Sequence, residues 1–295
     1  MTKPFTLFFT VQQDEDGLLL RDFLSKHQIS KRAVTGIKHR GGFFKVNGKE
    51  ERVLCQLQTN DTVEVQYPPE TANEKIVPYA FPLEIIYEDD YLLLVNKPDG
   101  MSTIPSHEHP TQTLANALAY HYAQTNHSGA MHFVTRLDYD TSGLVLVAKH
   151  SHIHHLFDRA QEKKEIKKEY LALCTGTPTP AQGEINFPIA RVPGSVIKRE
   201  VNPEGQTACT LYWTEQTYAN YSRLRLRLLT GRTHQIRVHL SALGHPLLGD
   251  SLYGGSQELI KRQALHCYAL QFQHPLTGEL LQFTCEPPLD MKRLI

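Results

Sequence analysis

Between the apolar runs at 131–134 and 144–148 lies a dense polar stretch, TRLDYDTSG, at 135–143. It sets Arg136, Asp138 and Asp140 within five residues of one another, and Asp140 to Gly143 read as a turn. An ionised carboxylate at a strand end with a cation beside it can act as a nucleophile or an electrostatic stabiliser. The bland alternative is a charged turn whose aspartate caps the backbone and whose arginine pairs with it. A second stretch, TGRTHQIRVHLSALG at 230–244, has a turn leading into an expected helix from 233 to 244. Free N–H groups at such a helix start favour an anion. Arg237 falls inside this helix, on the face of Thr233 and beside apolar Ile236 and Leu240. An arginine next to core positions needs an acidic partner, because a lone buried charge is costly. Asp138 is the expected partner.

Two rival chemistries use nearby letters. D-x-D-T at 138–141 also resembles the nucleophile loop of haloacid-dehalogenase-type phosphatases. That chemistry needs an apolar strand running straight into the first aspartate and a later acidic pair for magnesium. Here Arg136 interrupts the strand, and LLGDSLYGG supplies a single acid, Asp250. The run KHSHIHH holds His150, His152, His154 and His155, and SHEHP holds His107 and His109. No carboxylate or cysteine completes a ligand set in either, so both read as surface or RNA-facing histidines and no metal is expected. The five cysteines are scattered without a C-x-x-C pair, which indicates neither a disulfide framework nor a zinc knuckle and fits a reducing, cytoplasmic setting.

These residues must be positioned by a chain of 295 residues, 40% hydrophobic and 21% charged, which is enough for one large or two smaller folded units. No apolar run approaches the roughly 18 residues of a membrane span, and the N-terminal apolar patch is too short for a signal peptide. The formal net charge is zero, but residues 21–49 carry eight Lys/Arg against Asp22 alone, and residues 221–240 carry five arginines and no acid. Two separated basic segments point to a phosphate-bearing partner.

The segment at about 15–67 reads as two short helices, the second capped by Ser30 and closed by Gly41-Gly42, then a hairpin at Asn47-Gly48 and an edge-like strand DTVEVQYP. The proline-rich YPPETANEKIVPYAFP reads as a linker. The expected organisation is a basic module at 1–70, a linker at 71–84 and a larger α+β body at 85–295. In that body a hairpin turns at 88–90, and a helix capped by Thr111 or Thr113 follows. Strands flank the TRLDYDTSG stretch, a helix starts after a Ser151 cap, and strands at about 165–176, 207–215, 221–230, 263–275 and 280–288 build one sheet.

TRLDYDTSGLVLVAKH resembles the H-R-L-D-x-x-T-S-G-L signature of RluA-type RNA pseudouridine synthases. VNKPDGM at 95–101 resembles that family's K-P-x-G segment, KKEYLAL at 167–173 its K-x-Y-x-A-L strand, GRTHQIRVHLSALGHPLLGD its G-R-x-H-Q-[IL]-R-x-H segment, and ALHCYAL at 264–270 its L-H-A block. The order and spacing agree over about 85–290. The basic N-terminal module resembles the small RNA-binding domain of the fourth ribosomal small-subunit protein. Two departures stand out: Thr135 where the family usually has His, and MSTIPS at 101–106 where a His-Pro pair is usual.

The resemblance implies a large, mixed but mainly antiparallel sheet with flanking helices and, as activity, isomerisation of specific uridines in ribosomal or transfer RNA. The base is detached at N1, turned, and rejoined through C5, with no cofactor. Asp138 matches the catalytic aspartate acting at C1′, either by attack or through a glycal. Arg237 matches the arginine that keeps it charged, and Tyr170 the active-site tyrosine that stacks on uracil. Leu265 falls in the block lining the base pocket, and Arg136 matches the arginine that fills the space of the flipped nucleotide. Lys97 and Arg232 are expected to contact phosphates. The alternative from another class is a catalytically silent RNA-binding or ribosome-assembly protein on the same fold. The expected partner is RNA, with no membrane and a monomeric chain.

Overall fold

Alternation of apolar and polar residues builds a four-stranded antiparallel sheet near the N-terminus, from β1 (Thr6–Thr10), β2 (Phe43–Val46), β3 (Lys49–Glu50) and β4 (Thr62–Gln66), in the order β1-β4-β2-β3. The computed structural model of the chain describes residues 4–127 and 129–295. Two helices cover this sheet, α1 (Leu20–Lys26) and α2 (Lys31–His39). α1 buries Leu20, Phe23 and Leu24, spaced for one helical face, against Val63 and Val65. Ser30 caps α2 by accepting from the Ala33 N–H at 3.1 Å. Asn47 and Gly48 both have positive φ, as a tight two-residue hairpin requires. β4, expected at an edge, lies inside the sheet. β1, whose FTLFFT sequence carries no strand signal beyond a short apolar patch, pairs along its free side from Thr6 to Thr10.

The proline-rich segment is extended but not loose. Asn116 donates to the Val77 carbonyl at 2.7 Å, and the Tyr79 N–H donates to the Asn116 carbonyl at 2.9 Å. Tyr79 and Phe81 pack on the core of the larger body. That body starts with the expected hairpin, β5 (Glu84–Glu88) and β6 (Leu92–Lys97), followed by α3 (Leu114–Gln124) with Thr113 as its cap. Next come β7 (His132–Phe133), β8 (Ser142–Ala148), α4 (Ser151–Glu162) and β9 (Lys167–Thr175). The chain goes on through β10 (Gln182–Ile185), β11 (Ile189–Arg191), β12 (Arg199–Val201), β13 (Thr210–Thr217) and β14 (Tyr221–Leu228). It ends with α5 (Gln235–Ala242), β15 (Leu265–Gln273), β16 (Leu280–Thr284) and α6 (Leu289–Lys292).

Among the described residues, ten strands form one mixed sheet in the order β10-β13-β14-β9-β15-β8-β6-β5, with β16 added on β15 and β7 on β8. All its pairs are antiparallel except β8 with β15. Every residue of β8 is buried, which explains its unbroken apolar run. The parallel β8–β15 contact is short, Ser142 with His266 and Gly143 with Cys267. Gly143 makes it possible: its φ is +115°, and a Cβ there would sit 2.3 Å from the Cys267 carbonyl oxygen. Thr141 to Gly143 therefore do not form a turn. Ser142 and Gly143 begin the strand, and the turn is Tyr139–Asp140, closed by the Thr141 N–H on the Asp138 carbonyl at 3.1 Å.

The histidine run also differs from its expected surface role. His150 and His152 are buried, and His150, not Ser151, caps α4 by accepting from the His152 N–H at 3.1 Å. Phe5 stacks on His150 at 4.0 Å between ring centres. Glu70 accepts from His132 at 2.8 Å and from the Ser151 N–H at 3.1 Å. These contacts join the small sheet to the large one. Among the described residues, no helix is long and apolar enough to cross a membrane.

Candidate active site

The stretch 135–143 is gripped almost residue by residue. Buried Thr135 exchanges hydrogen bonds with Leu146, its Oγ1 accepting from the Leu146 N–H at 2.9 Å. Thr103 Oγ1 donates to the Leu137 carbonyl at 2.8 Å and accepts from the Leu137 N–H at 3.1 Å. The two departures from the family pattern, Thr135 and the MSTIPS segment, thus both supply hydroxyls that shape this loop. Arg262 Nη1 donates to the Asp140 carbonyl at 3.0 Å, and Ser142 Oγ pairs with His266 Nδ1 at 2.9 Å. Arg136 differs from its neighbours: it is exposed and, among the described residues, its guanidinium has no hydrogen-bond or ion-pair partner.

Asp138 stands at the end of this scaffold with its side chain 26% exposed, and Arg237 Nη1 donates to its Oδ2 at 3.1 Å. The pairing expected from sequence is present, but Arg237 carries a closer partner. Its Nε and Nη2 donate to the two oxygens of buried Asp250 at 2.7 and 2.9 Å. Burial works against the Arg237 charge, but Asp250 and Asp138 outweigh it and push the guanidinium above its ordinary value. Tyr253 lies under the guanidinium, 5.0 Å from its carbon. α5 begins at Gln235, two residues later than expected, because His234 takes a left-handed conformation at φ +57°. That kink holds His234 Nδ1 2.8 Å from the Tyr253 hydroxyl and leaves Nε2 3.9 Å from Asp138 Oδ2. Burial lowers the His234 pKa, against the raising effect of Asp138, and favours the neutral ring.

A cleft of about 400 Å³ opens over Asp138. Tyr170, Leu265 and Arg237 line it, and Arg136 and Arg232 line it as well. Burial, then the neighbouring Cys267 and Asp138, push the Tyr170 hydroxyl well above the ordinary tyrosine range, so it is a proton-bearing group here. Six of the seven residues singled out from sequence therefore share one cleft: Asp138, Tyr170, Arg237, Arg136, Leu265 and Arg232.

Lys97 is the exception. It is fully buried, and its ammonium donates to the carbonyls of Pro98, Met101 and Tyr139 at 2.8, 2.7 and 3.1 Å. It cannot reach a phosphate; it ties the loop after Asp138 to the segment at 98–101. The second basic stretch is corrected in part. Arg225 and Arg227 pair with Glu169, and Arg223 with Glu215, so these three arginines neutralise acids on the sheet surface. Sequence reasoning missed Asp250, Thr103, His234 and Lys168, all in or beside the cleft. A signal for Asp250 did exist, since a buried guanidinium fork demands a carboxylate that takes two of its donors. Among the described residues, no group of three His, Cys, Asp or Glu is close enough to hold a metal ion.

A model of the RNA pseudouridylate synthase family matches residues 91–242, which span β6 to the last residue of α5. The uncharacterized RNA pseudouridine synthase YjbO of Bacillus subtilis is 42% identical over 278 residues, covering 94% of this chain and 98% of its own. The ribosomal large subunit pseudouridine synthase D of Pasteurella multocida is 41% identical over 74% of this chain and 71% of its own. Among solved structures, human RNA pseudouridylate synthase domain containing 1 superposes with a TM-score of 0.58 at 28% identity, over 70% of this chain and 84% of its own. With its aspartate and arginine motifs meeting in the cleft of such a sheet, the chain belongs to the RluA-type RNA pseudouridine synthases, isomerases that convert uridine in RNA to pseudouridine.

Proposed function

We propose that the chain isomerises uridines of ribosomal RNA, with the large-subunit RNA as the first candidate, using Asp138 at the sugar C1′. The large-subunit assignment is supported by relatives named ribosomal large subunit pseudouridine synthase D, one of them 38% identical over the whole of this chain. The observation that carries the reading is the placement of Asp138. Its carboxylate is accessible at the floor of a cleft, aimed by an arginine that a second carboxylate holds rigid. In this reading Tyr170 stacks on the uracil and Leu265 bounds the base. Arg136, without a partner among the described residues, enters the duplex position the flipped nucleotide leaves. Arg232, exposed at the rim, contacts a phosphate.

The N-terminal residues 1–70 act as an RNA-binding module like that of the fourth ribosomal small-subunit protein, residues 71–84 as the connection, and residues 85–295 as the catalytic body. The chain acts as a cytoplasmic monomer without a cofactor. Support for the division comes from two separate apolar cores, with Phe5 and Leu276 packed against both. Support for an RNA-binding role comes from α2, whose Lys31, Arg32 and Lys38 have no acidic partner among the described residues.

The test is site-resolved pseudouridine mapping in a strain lacking the gene, complemented by the native chain or by Asp138→Asn. The expected result is loss of one or a few pseudouridines from large-subunit ribosomal RNA, restored by the native chain alone. Loss confined to transfer RNA would overturn the substrate assignment. Full restoration by Asp138→Asn would overturn the role of that carboxylate.

A further inference from the structure

The isomerisation has two ends with opposite electrostatic needs. At the sugar, C1′ needs the carboxylate of Asp138. At the base, the electron pair of the broken C1′–N1 bond needs a cation or a donor. Whether Asp138 bonds to C1′ or takes a proton from C2′, uracil leaves as an anion with its charge shared among N1, O2 and O4. Arg237 is committed elsewhere, since its Nε and Nη2 donate to Asp250 and its Nη1 to Asp138.

Lys168 is placed for the other end. It precedes Tyr170 by two on β9, and strand alternation sends both side chains to the same face, where both line the cleft. Its ammonium lies beside the turn that carries Arg232: a Cβ added to Gly231 would meet Lys168 Nζ at 3.7 Å. Among the described residues the ammonium has no hydrogen-bond or ion-pair partner, and no carboxylate contributes to its electrostatics. Burial pushes its pKa below the ordinary lysine value, with a slight opposing effect from Cys267. A cation left uncompensated on the wall of a catalytic cleft is matched to a charge that appears only during reaction.

We propose that Lys168 is a catalytic residue that receives the negative charge of the departing uracil at O2 or O4. As C1′–N1 breaks, its electron pair passes to the ring. Asp138 supplies the pair that bonds to C1′, or accepts the C2′ proton, and Lys168 keeps its own proton while it neutralises the base. When C5 attacks C1′, the Asp138–C1′ bond breaks or Asp138 returns the proton to C2′, the C5 proton leaves to water and N1 takes one up, and Lys168 is ready for another cycle. The neutral uracil of bound substrate gains little from this ammonium, whereas the anion gains much, so the contact lowers the barrier more than it tightens binding. The inference rests on the isomerase activity and adds a role for a residue that otherwise looks like one more surface lysine.

The test uses the full chain in single turnovers on RNA extracted from a strain lacking the gene, cultured with uracil or with 5-fluorouracil. Turnover is followed as loss of the N1-linked nucleotide, because a C5 fluorine cannot leave as the C5 proton does. Fluorine stabilises the departing anion by itself, so dependence on the lysine must fall. Lys168→Met and Lys168→Gln are expected to slow turnover of uridine about 100-fold, as loss of one charge-stabilising donor does, with RNA affinity changed less than about threefold. Lys168→Arg should recover most of the rate, and the penalty of all variants should shrink severalfold on 5-fluorouridine. An equal penalty on both bases overturns the proposal. So does a defect confined to RNA affinity, which would make Lys168 a phosphate contact. If the neutral variants fail to fold, the arginine variant carries the same comparison, because any deficit it shows must shrink on 5-fluorouridine. A native chain that forms no pseudouridine would instead remove the isomerase reading itself.

Discussion

Two buried arginines hold the Asp138 loop at different residues, and they are built alike. Arg237 gives Nε and Nη2 to Asp250, and Arg262 gives Nε and Nη2 to Asp290 at 2.7 and 2.8 Å. Each turns Nη1 to the loop: Arg237 donates to the Asp138 carboxylate, and Arg262 to the Asp140 carbonyl as well as to the Gln263 carbonyl. The guanidinium fork explains the shared design, because a bidentate carboxylate fixes the plane and aims the remaining donor. What differs is the recipient. One arginine grips the side chain proposed to react, the other a peptide group that only has to stay in place. The anchors differ too: Asp250 is 1% exposed, whereas Asp290 is 39% exposed.

The largest effect should come from removing the carboxylate proposed to react. Asp138→Asn keeps the shape of the loop and is expected to cut pseudouridine formation by about 10⁴-fold or more, as loss of a nucleophile does, with little change in thermal unfolding. The two arginines come next. A lysine in place of either has no fork, so Arg237→Lys and Arg262→Lys should each destabilise the fold by about 2–4 kcal/mol. Only Arg237→Lys should add a fall of about 10²–10³-fold in the single-turnover rate. Chemical unfolding measured beside single turnovers on the same preparations separates the two. Equal rate losses would mean that both arginines act through loop shape alone. The anchors sharpen the contrast further. Asp250→Asn leaves a buried guanidinium short of its counter-charge and should cost about 3 kcal/mol. Asp290→Asn, at a site open to water, should cost about 1 kcal/mol or less.

How far this was legible in the sequence follows from the range of each interaction. Asp138 and Arg237 could be paired from sequence alone because both are charges among apolar residues, and each needs the other. Asp250 and Arg262 escaped because each lies in a loop with no periodicity to mark it as buried. The sheet was readable in its long strands, where alternation or an unbroken apolar run marks burial. It was not readable in β10, a four-residue strand at its edge, and neither was the separate β11–β12 pair, whose strands are three residues each. Lys97 was misassigned for a physical reason: a lysine beside Pro98 and Asp99 looks solvated, and only the fold reveals three carbonyls converging on it. Nor could sequence say that β1 would cover β4, since that contact joins residues more than fifty positions apart.

The smallest effect on the reaction is expected from a third set of ties, those joining the two sheets, which rest on histidines and a glutamate where the Asp138 loop rests on arginines. Burial holds His150 down to about 4 and His152 to about 3, against an ordinary 6.5, so both are neutral in the closed junction. A depressed histidine favours the closed form fully above pH 6.5, and that contribution is lost as pH falls toward 4 and 3. Glu70 acts in the next window: burial raises its pKa, but His132, His150 and the Ser151 N–H outweigh this and hold it near 2, below its ordinary 4.5. Its contribution is present above pH 4.5 and is lost as pH falls toward 2. For His150 and for Glu70 such a displacement amounts to about 3 kcal/mol at most, enough to loosen the junction. Hydrogen exchange between pH 7 and pH 4 should therefore show faster exchange at residues 5–10, 67–71 and 150–154, with 135–143 still protected. Glu70→Gln should bring part of that loosening to neutral pH. Equal loss of protection in both regions would show that the junction and the active-site loop open as one unit, and that the arginine ties give the loop no independence.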